Sequence, residues 1–306
     1  MTTICIASGK GGAGKTSFAA ALASSLGQKC IFADCDVDAA NGALALGSIN
    51  TKKQPYFSGP GFFINESACT GCGLCEKACR FNAIFKESGS HSFRITQELC
   101  ERCGACAYVC KFNAVQLIEQ QAGWLMESQT LRGFPMIHAE LEPGEDTSGK
   151  LVALVRHKAR EMARDDRLIV VDAPAGIGCP VIASLTGADL LIVIVEAGLS
   201  GIRDAERLIE LGKDMKRPMT GIVNKAGLDS DIDTQARNLL KKNSIEFLAQ
   251  IRFDPSLRAV EEAGKTWAEL EGQTGDEIRA VLQAVKARIF KPETHGSEHE
   301  NSNTKR

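Results

Sequence analysis

Residues 9–16 read GKGGAGKT, and no other stretch restricts the fold as tightly. Gly9, Gly11, Gly12 and Gly14 carry no Cβ, so this backbone can take turns closed to other residues. The flanks add direction. Thr2 to Ser8 is short, apolar and rich in Ile, as a buried strand is. Thr16 to Leu26 is dominated by Ala and Leu, which favours a helix. A second apolar run, Lys29 to Ala33, leads into DCDVD at 34–38. Strand, glycine loop, helix and strand in that order make a βαβ unit, and such a unit requires parallel pairing.

The pattern breaks near Pro55, where YFSGPGFF mixes glycine, proline and aromatics. Cysteine-rich sequence follows to about Val115. Of 12 cysteines, 8 fall between Cys69 and Cys110. They belong to an internal repeat: ACTGCGLCEKACRFNAI from Ala68 aligns with LCERCGACAYVCKFNAV from Leu99, an offset of 31 residues. Such self-similarity marks a duplicated module. After about Trp124 the α/β pattern resumes. Leu168–Val171, Leu190–Val195 and Met219–Val223 suit strands buried on both faces. Helical stretches, at Lys150–Ala163 (with Ser148 as N-cap), Gly201–Lys213, Asp231–Lys242 and Asp276–Ile289, lie between and after them.

The expected fold is therefore α/β, a mostly parallel sheet flanked by helices, built from residues 1–57 and 120–292. A small α+β domain, residues 58–119, is inserted in it. Residues 293–306 are polar and are expected to be disordered.

The chain is 44% hydrophobic and 24% charged, with a net charge of only -2. That balance suits a soluble globular protein and argues against a nucleic-acid partner. The start lacks a basic segment followed by an apolar one, and the apolar run Ala188–Val195 is too short to span a bilayer. The expected location is cytoplasmic, without stable membrane insertion. The amphipathic stretch 276–289 is not strongly basic and reads as a domain-closing helix.

The chemistry of the glycine segment follows from its spacing, G-x-x-x-x-G-K-[ST], between a strand and a helix. Backbone N–H groups across Gly9, Gly11, Gly12, Ala13, Gly14, Lys15, Thr16 and Ser17 can turn toward phosphate oxygens, helped by the helix dipole. Lys15 would reach the β- and γ-phosphates, and the Thr16 hydroxyl would hold Mg²⁺.

The repeat also has a chemical spacing. Cys69, Cys72, Cys75 and Cys79 form C-x₂-C-x₂-C-x₃-C, as do Cys100, Cys103, Cys106 and Cys110. This is the bacterial ferredoxin run, which holds [4Fe-4S] clusters with the fourth cysteine reaching the other cluster. One cluster would take Cys69, Cys72, Cys75 and Cys110; the other would take Cys100, Cys103, Cys106 and Cys79. Closed zinc sites use paired knuckles instead. The usual proline after the fourth cysteine is replaced by Arg80 and Lys111, and a cation there would raise the cluster potential. Cys5, Cys30 and Cys35 read as core. Cys179 reads as a small residue at a helix start; the alternative is a transient ligand for a cluster in transit. The five His residues show no metal-ligand spacing.

With Lys10 included, the loop has the form K-G-G-x-G-K-[ST] and resembles the deviant Walker A ATPases, which include MinD, ParA and the nitrogenase iron protein. From Thr2 to Ile289 the chain looks like the MinD-superfamily ATPases with an inserted ferredoxin domain, within the CobQ/CobB/MinD/ParA nucleotide-binding family. That resemblance implies a homodimer that closes over two ATP, with Lys10 reaching the partner's phosphates. It implies that Asp36 orients the attacking water, with Asp34 and Asp38 as competitors. Asp172, ending LIVVD, would hold Mg²⁺ through water. Asn224 in GIVNKAG would bind adenine, and Phe253 to Pro255 would lie near the base. The implied function is ATP hydrolysis coupled to electron transfer with a protein donor or acceptor, or to metallocluster assembly on a client. A MinD/ParA-like spatial organiser with the clusters as redox sensor is the alternative.

Overall fold

The computed structural model describes residues 2–87, 89–145, 148–163 and 167–290. The tail expected from residue 293 lies outside them. In chain order the strands are β1 (Thr3–Ala7), β2 (Cys30–Asp34), β3 (Ser48–Ile64), β4 (Ile84–Lys86), β5 (Phe93–Ile95), β6 (Val115–Thr130), β7 (Pro135–Leu141), β8 (Leu168–Asp172), β9 (Leu190–Glu196), β10 (Met219–Ala226) and β11 (Glu246–Arg252). The helices are α1 (Lys15–Leu26), α2 (Gly42–Leu46), α3 (Leu74–Ala78), α4 (Ala105–Val109), α5 (Ser148–Met162), α6 (Cys179–Leu185), α7 (Leu199–Asp214), α8 (Ser230–Lys242), α9 (Ser256–Glu262) and α10 (Gly272–Ile289).

Nine strands form one sheet in the order β11-β10-β9-β1-β8-β2-β7-β6-β3. From β11 to β7 every neighbouring pair is parallel. The sheet is therefore mostly parallel, as the βαβ pattern requires. β6 runs antiparallel to β7 and to β3.

Alternation along the strands splits the core in two. Ile4, Ile6, Phe32, Val170 and Ile192 face a layer containing Phe18 and Leu22 of α1 and Val281 and Leu282 of α10. Cys5, Ala7, Ile31, Val171 and Val193 face the layer of α5, α6, α7 and α8. Each fully buried Ile, Leu or Val side chain contributes about 1.5–3 kcal/mol. Cys5, Cys30 and Cys35 are buried in this core, and burial pushes the Cys5 and Cys30 thiols up to about 12.

β3 and β6 are much longer than their neighbours. Their ladder runs from Ser48 opposite Thr130 to Ile64 opposite Val115. It leaves the sheet as a two-stranded ribbon, and residues 65–114 sit at its tip. YFSGPGFF, read from sequence as a break, is strand. The expected domain boundaries, 57/58 and 119/120, fall inside the two strands. Register irregularities between Tyr56 and Phe57, and between Phe57 and Pro60, lie at that place. Such bulges bend and twist a ribbon. The tip has its own small core of Phe62, Cys75, Ile84, Phe93, Cys106 and Val115.

Among the described residues no helix is long and apolar enough to cross a membrane.

Candidate functional site

β1 delivers the glycine loop to the end of the sheet where β2 and β8 also finish. Gly12 and Gly14 take φ of 74° and 90°, the left-handed region that glycine tolerates. A Cβ on Gly14 would lie 2.4 Å from Asn224 Nδ2, and one on Gly9 only 2.0 Å from the Asp204 carbonyl oxygen. Gly14 caps α1, so Lys15, Thr16 and Ser17 open the helix. Lys15 is buried although charged.

Asp172 ends β8 beside this loop and is fully buried. Neither of its carboxylate oxygens has a hydrogen-bond partner among the described residues. Burial pushes its pKa well above the usual carboxylate range, while the Thr16 hydroxyl and the Lys15 ammonium oppose that shift. An orphaned buried carboxylate is costly unless a cation meets it. The donor set fits Mg²⁺, a hard ion that prefers oxygen ligands.

The DCDVD aspartates divide by environment. Asp34 is buried, and its two oxygens accept from the backbone N–H of Asp36 (3.1 Å) and Gly42 (2.8 Å), which brace the loop leading to α2. Asp36 is half-buried. Burial raises its pKa, Lys15 lowers it and Asp38 raises it. Lys15 thus acts electrostatically on both Asp36 and Asp172.

Lys10 is folded back on its own chain, with Nζ 3.1 Å from Glu196 Oε1 and 3.1 Å from Ser200 Oγ. Glu196 Oε2 also receives Lys225 Nζ at 3.1 Å. Sequence reasoning missed Glu196. The only signal was an acidic residue ending the apolar run LLIVIV.

Asn224 is buried and donates Nδ2 to the Ala13 carbonyl at 2.8 Å, pinning the glycine loop. With Gly12, Gly14 and Ser17 it lines a cavity of about 540 Å³. Phe253, Asp254 and Pro255 line the same cavity, as does Trp267. Trp267 was not foreseen. It sits on a short 3₁₀ turn closed by a Thr266–Glu269 capping box, and Arg132 holds Glu269 at 2.7 Å.

At the ribbon tip the eight repeat cysteines surround two separate cavities. Cys69, Cys72, Cys75 and Cys110 line one, together with Ile64, Leu74, Phe93 and Phe112. Cys79, Cys100, Cys103 and Cys106 line the other, together with Phe62, Phe81, Ile84 and Ile95. Each cavity takes three thiols from one repeat and one from the other, the division expected from the spacing. Among the described residues no three His, Cys, Asp or Glu side chains converge on a point suited to a single metal ion. The thiols line cavities, a donor set that fits a multi-iron group with one thiolate per iron. Backbone N–H groups of Ala83 and Ala114 point at Cys79 Sγ (3.4 Å) and Cys110 Sγ (3.3 Å). Burial works to raise the Cys110 thiol, but the backbone hydrogen bonds around it, that of Ala114 among them, outweigh burial and hold it below the ordinary range. Arg80 and Lys111 are exposed beside the fourth cysteines. Cys179 is exposed at the first residue of α6, and its Cβ would lie 3.2 Å from a Cβ placed on Gly149 of α5.

Comparison with known proteins places this arrangement. An uncharacterized protein of Methanocaldococcus jannaschii, MJ0578, is 36% identical over 229 residues, covering 74% of this chain and 79% of its own length. The carbon monoxide dehydrogenase accessory protein CooC of Rhodospirillum rubrum is 24% identical over 139 residues, covering 45% of this chain and 52% of its own. Among solved structures, Pyrococcus horikoshii MinD complexed with Mg-ADP shares the fold with TM-score 0.57 at 16% identity, over 94% of this chain and 97% of that one. Aquifex aeolicus MinD does so with TM-score 0.54 at 19% identity, over 94% and 98%. Since the family model described as the CobQ/CobB/MinD/ParA nucleotide binding domain matches residues 4–267, the chain belongs to that family.

Proposed function

We propose that this protein binds and hydrolyses ATP as a dimeric switch and carries two [4Fe-4S] clusters whose setting responds to the nucleotide. The observation that carries the reading is the β3–β6 ribbon. It joins both four-cysteine cavities, through a bulged but paired ladder, to the sheet that presents the glycine loop.

In this reading the loop amides, Lys15 and the α1 N-terminus bind the phosphates. Thr16 and the orphaned Asp172 hold Mg²⁺, and the ion relieves the buried charge. Asp36 orients the attacking water, because the Asp34 carboxylate is already committed to the loop backbone. Asn224, Trp267 and Phe253 enclose the base. Lys10 must leave Glu196 to reach a partner's phosphates. Lys225 remains to neutralise Glu196, which lowers the cost of that exchange.

A [4Fe-4S] cluster, when held, supplies a one-electron couple. The cysteines anchor it, the apolar residues around them limit water, and the ribbon passes on the state of the sheet. Such a device can deliver electrons to a partner, or serve the metallocluster of a client protein. The likeness to CooC, an accessory protein of carbon monoxide dehydrogenase, supports the second outcome.

The test is anaerobic EPR of the iron-loaded, dithionite-reduced protein with and without MgATP, alongside phosphate release. Two cluster signals are expected, at least one of which moves with MgATP. Signals indifferent to the nucleotide would end the coupling model and favour an organiser carrying passive clusters.

A further inference from the structure

The two repeats are alike at three left-handed backbone positions, with one chemical exception. Gly73 and Gly104 correspond across the 31-residue offset, with φ of 73° and 76°. Asn82 and Asn113 correspond, with φ of 53° and 51°. Gly71, with φ 70°, corresponds to Arg102, with φ 52°. An arginine in this region is strained, since only glycine, and to a lesser degree Asn or Asp, visits it routinely. The first repeat could not carry a side chain there, because a Cβ on Gly71 would lie 2.4 Å from the His91 carbonyl oxygen.

The Arg102 side chain shows what the strain serves. It lies within the Cys100–Cys103 loop and lines the second cysteine cavity. Its guanidinium also reaches away from the tip. Nη2 meets Glu145 Oε1 at 2.6 Å, and Nη1 donates to Ser58 Oγ. Glu145 lies beyond β7, in the segment that leads to α5 of the nucleotide-binding body. Its side chain is 8% exposed and that of Arg102 is 19%, so the pair is largely shielded from water. Gln120 Nε2 adds a contact to Glu145 Oε1 at 3.4 Å. Four residues past Glu145, Gly149 packs against Cys179, the start of the helix that follows Asp172.

We propose that Arg102 and Glu145 form an electrostatic clasp through which the body sets the redox poise of the second cysteine site alone. The proposal rests on the reading that these cysteines hold clusters. The positive charge on Arg102, the residue between Cys100 and Cys103 that lines this cavity, stabilises the more negative, reduced state, and the Glu145 carboxylate paired with it offsets part of that effect. Nucleotide-driven movement of the α5–α6 packing displaces Glu145 and changes the offset. The first site has no counterpart of Arg102, so it stays constant.

Arg102 is a positioning residue, and its test uses signs. In anaerobic EPR redox titrations, Glu145→Gln should raise the midpoint of one cluster. Arg102→Gly, which matches its repeat mate and relieves the backbone strain, should lower the midpoint of the same cluster. The other cluster should not move, and MgATP should no longer shift the signal of the affected cluster in these variants. Shifts of the same sign, shifts in both clusters, or no shift would overturn the proposal. Hydrogen exchange on the protein as purified separates this outcome from failure of the cluster reading, because it reads the clasp without any redox signal. Arg102→Gly should speed exchange of amides 96–104 about tenfold and leave 65–75 unchanged. Equal exchange in the two proteins would overturn the clasp by itself.

Discussion

Behind Lys15 stand two apolar layers and seven parallel strands. Behind Cys72 and Cys103 stand an apolar cluster of six buried residues, two of them cysteines, and a two-stranded pair of three-residue strands. Both regions use left-handed glycines to turn backbone toward a guest. The difference is in what keeps them folded when the guest is absent. The nucleotide loop is held by Gly9 packed on α7, by Asn224 and by the sheet, so it is formed before ATP arrives. The cysteine module has about 50 residues and a core too small to be stable unaided, the size at which metals commonly take over. One region binds a ligand; the other, in the proposed reading, is completed by one.

The sharpest way to break this contrast is to remove the proposed clusters. Chelation under air, or a Cys72→Ser, Cys103→Ser double variant, should unfold residues 65–114 and leave the sheet intact. Hydrogen exchange would show near-complete loss of protection at the tip, with β1, β8 and β9 unchanged. Equal loss in both regions, or in neither, would contradict the division.

A medium effect is expected at Asp172. Its folded pKa is raised by burial, so in the nucleotide-free protein its stabilising protonated form is lost as pH rises through the folded value. Stability should therefore fall from pH 5 to pH 8. Burial also raises Asp34 and adds to the same slope, so Asp172→Asn should reduce it and gain on the order of 2 kcal/mol at pH 8. The same variant should lose most of the stabilisation by MgATP, which is about 3 kcal/mol at a hundredfold excess over Kd. Melting curves across pH, with and without MgATP, check both parts.

The smallest effect concerns the root of the ribbon, where the two regions meet. His138 on β7 is buried, with Nε2 2.8 Å from Ser128 Oγ on β6, which lies 2.9 Å from Thr51 Oγ1 on β3. Burial and the Lys53 charge lower its pKa to about 4. A depressed histidine favours the fold while neutral, and that contribution is lost as pH falls from about 6.5 toward 4. Stability should drop by about 1 kcal/mol by pH 5.5, and His138→Gln should flatten the drop.

What was legible in the sequence was local. GKGGAGKT and the cysteine runs specify loops whose partners lie within a few residues, and continuous apolar runs announce β8, β9 and β10. What was illegible was long-range. YFSGPGFF looks like a break because bulged, exposed ribbon lacks clean alternation and tolerates Gly and Pro. β11, EFLAQIR, was missed because an edge strand mixes polar and apolar residues on both faces. Trp267, Arg132, Glu196 and Glu145 draw their roles from partners more than 40 residues away in sequence, and no spacing rule reports such pairs. The position of Arg102 was visible in the repeat, but its backbone angle was not.

The ribbon has one more consequence. Its two strands lie side by side, about 5 Å apart, all the way to Ile64 and Val115. The chain therefore leaves and re-enters the sheet through a gap no wider than a tight turn. Whatever occupies residues 65–114 places no demand on the spacing of the parallel strands below it. A descendant without the module would need only a two- to five-residue turn to close the hairpin. A descendant with a different module would keep the same nucleotide site. The architecture is a socket, and the lineage can change what is plugged into it without rebuilding the motor.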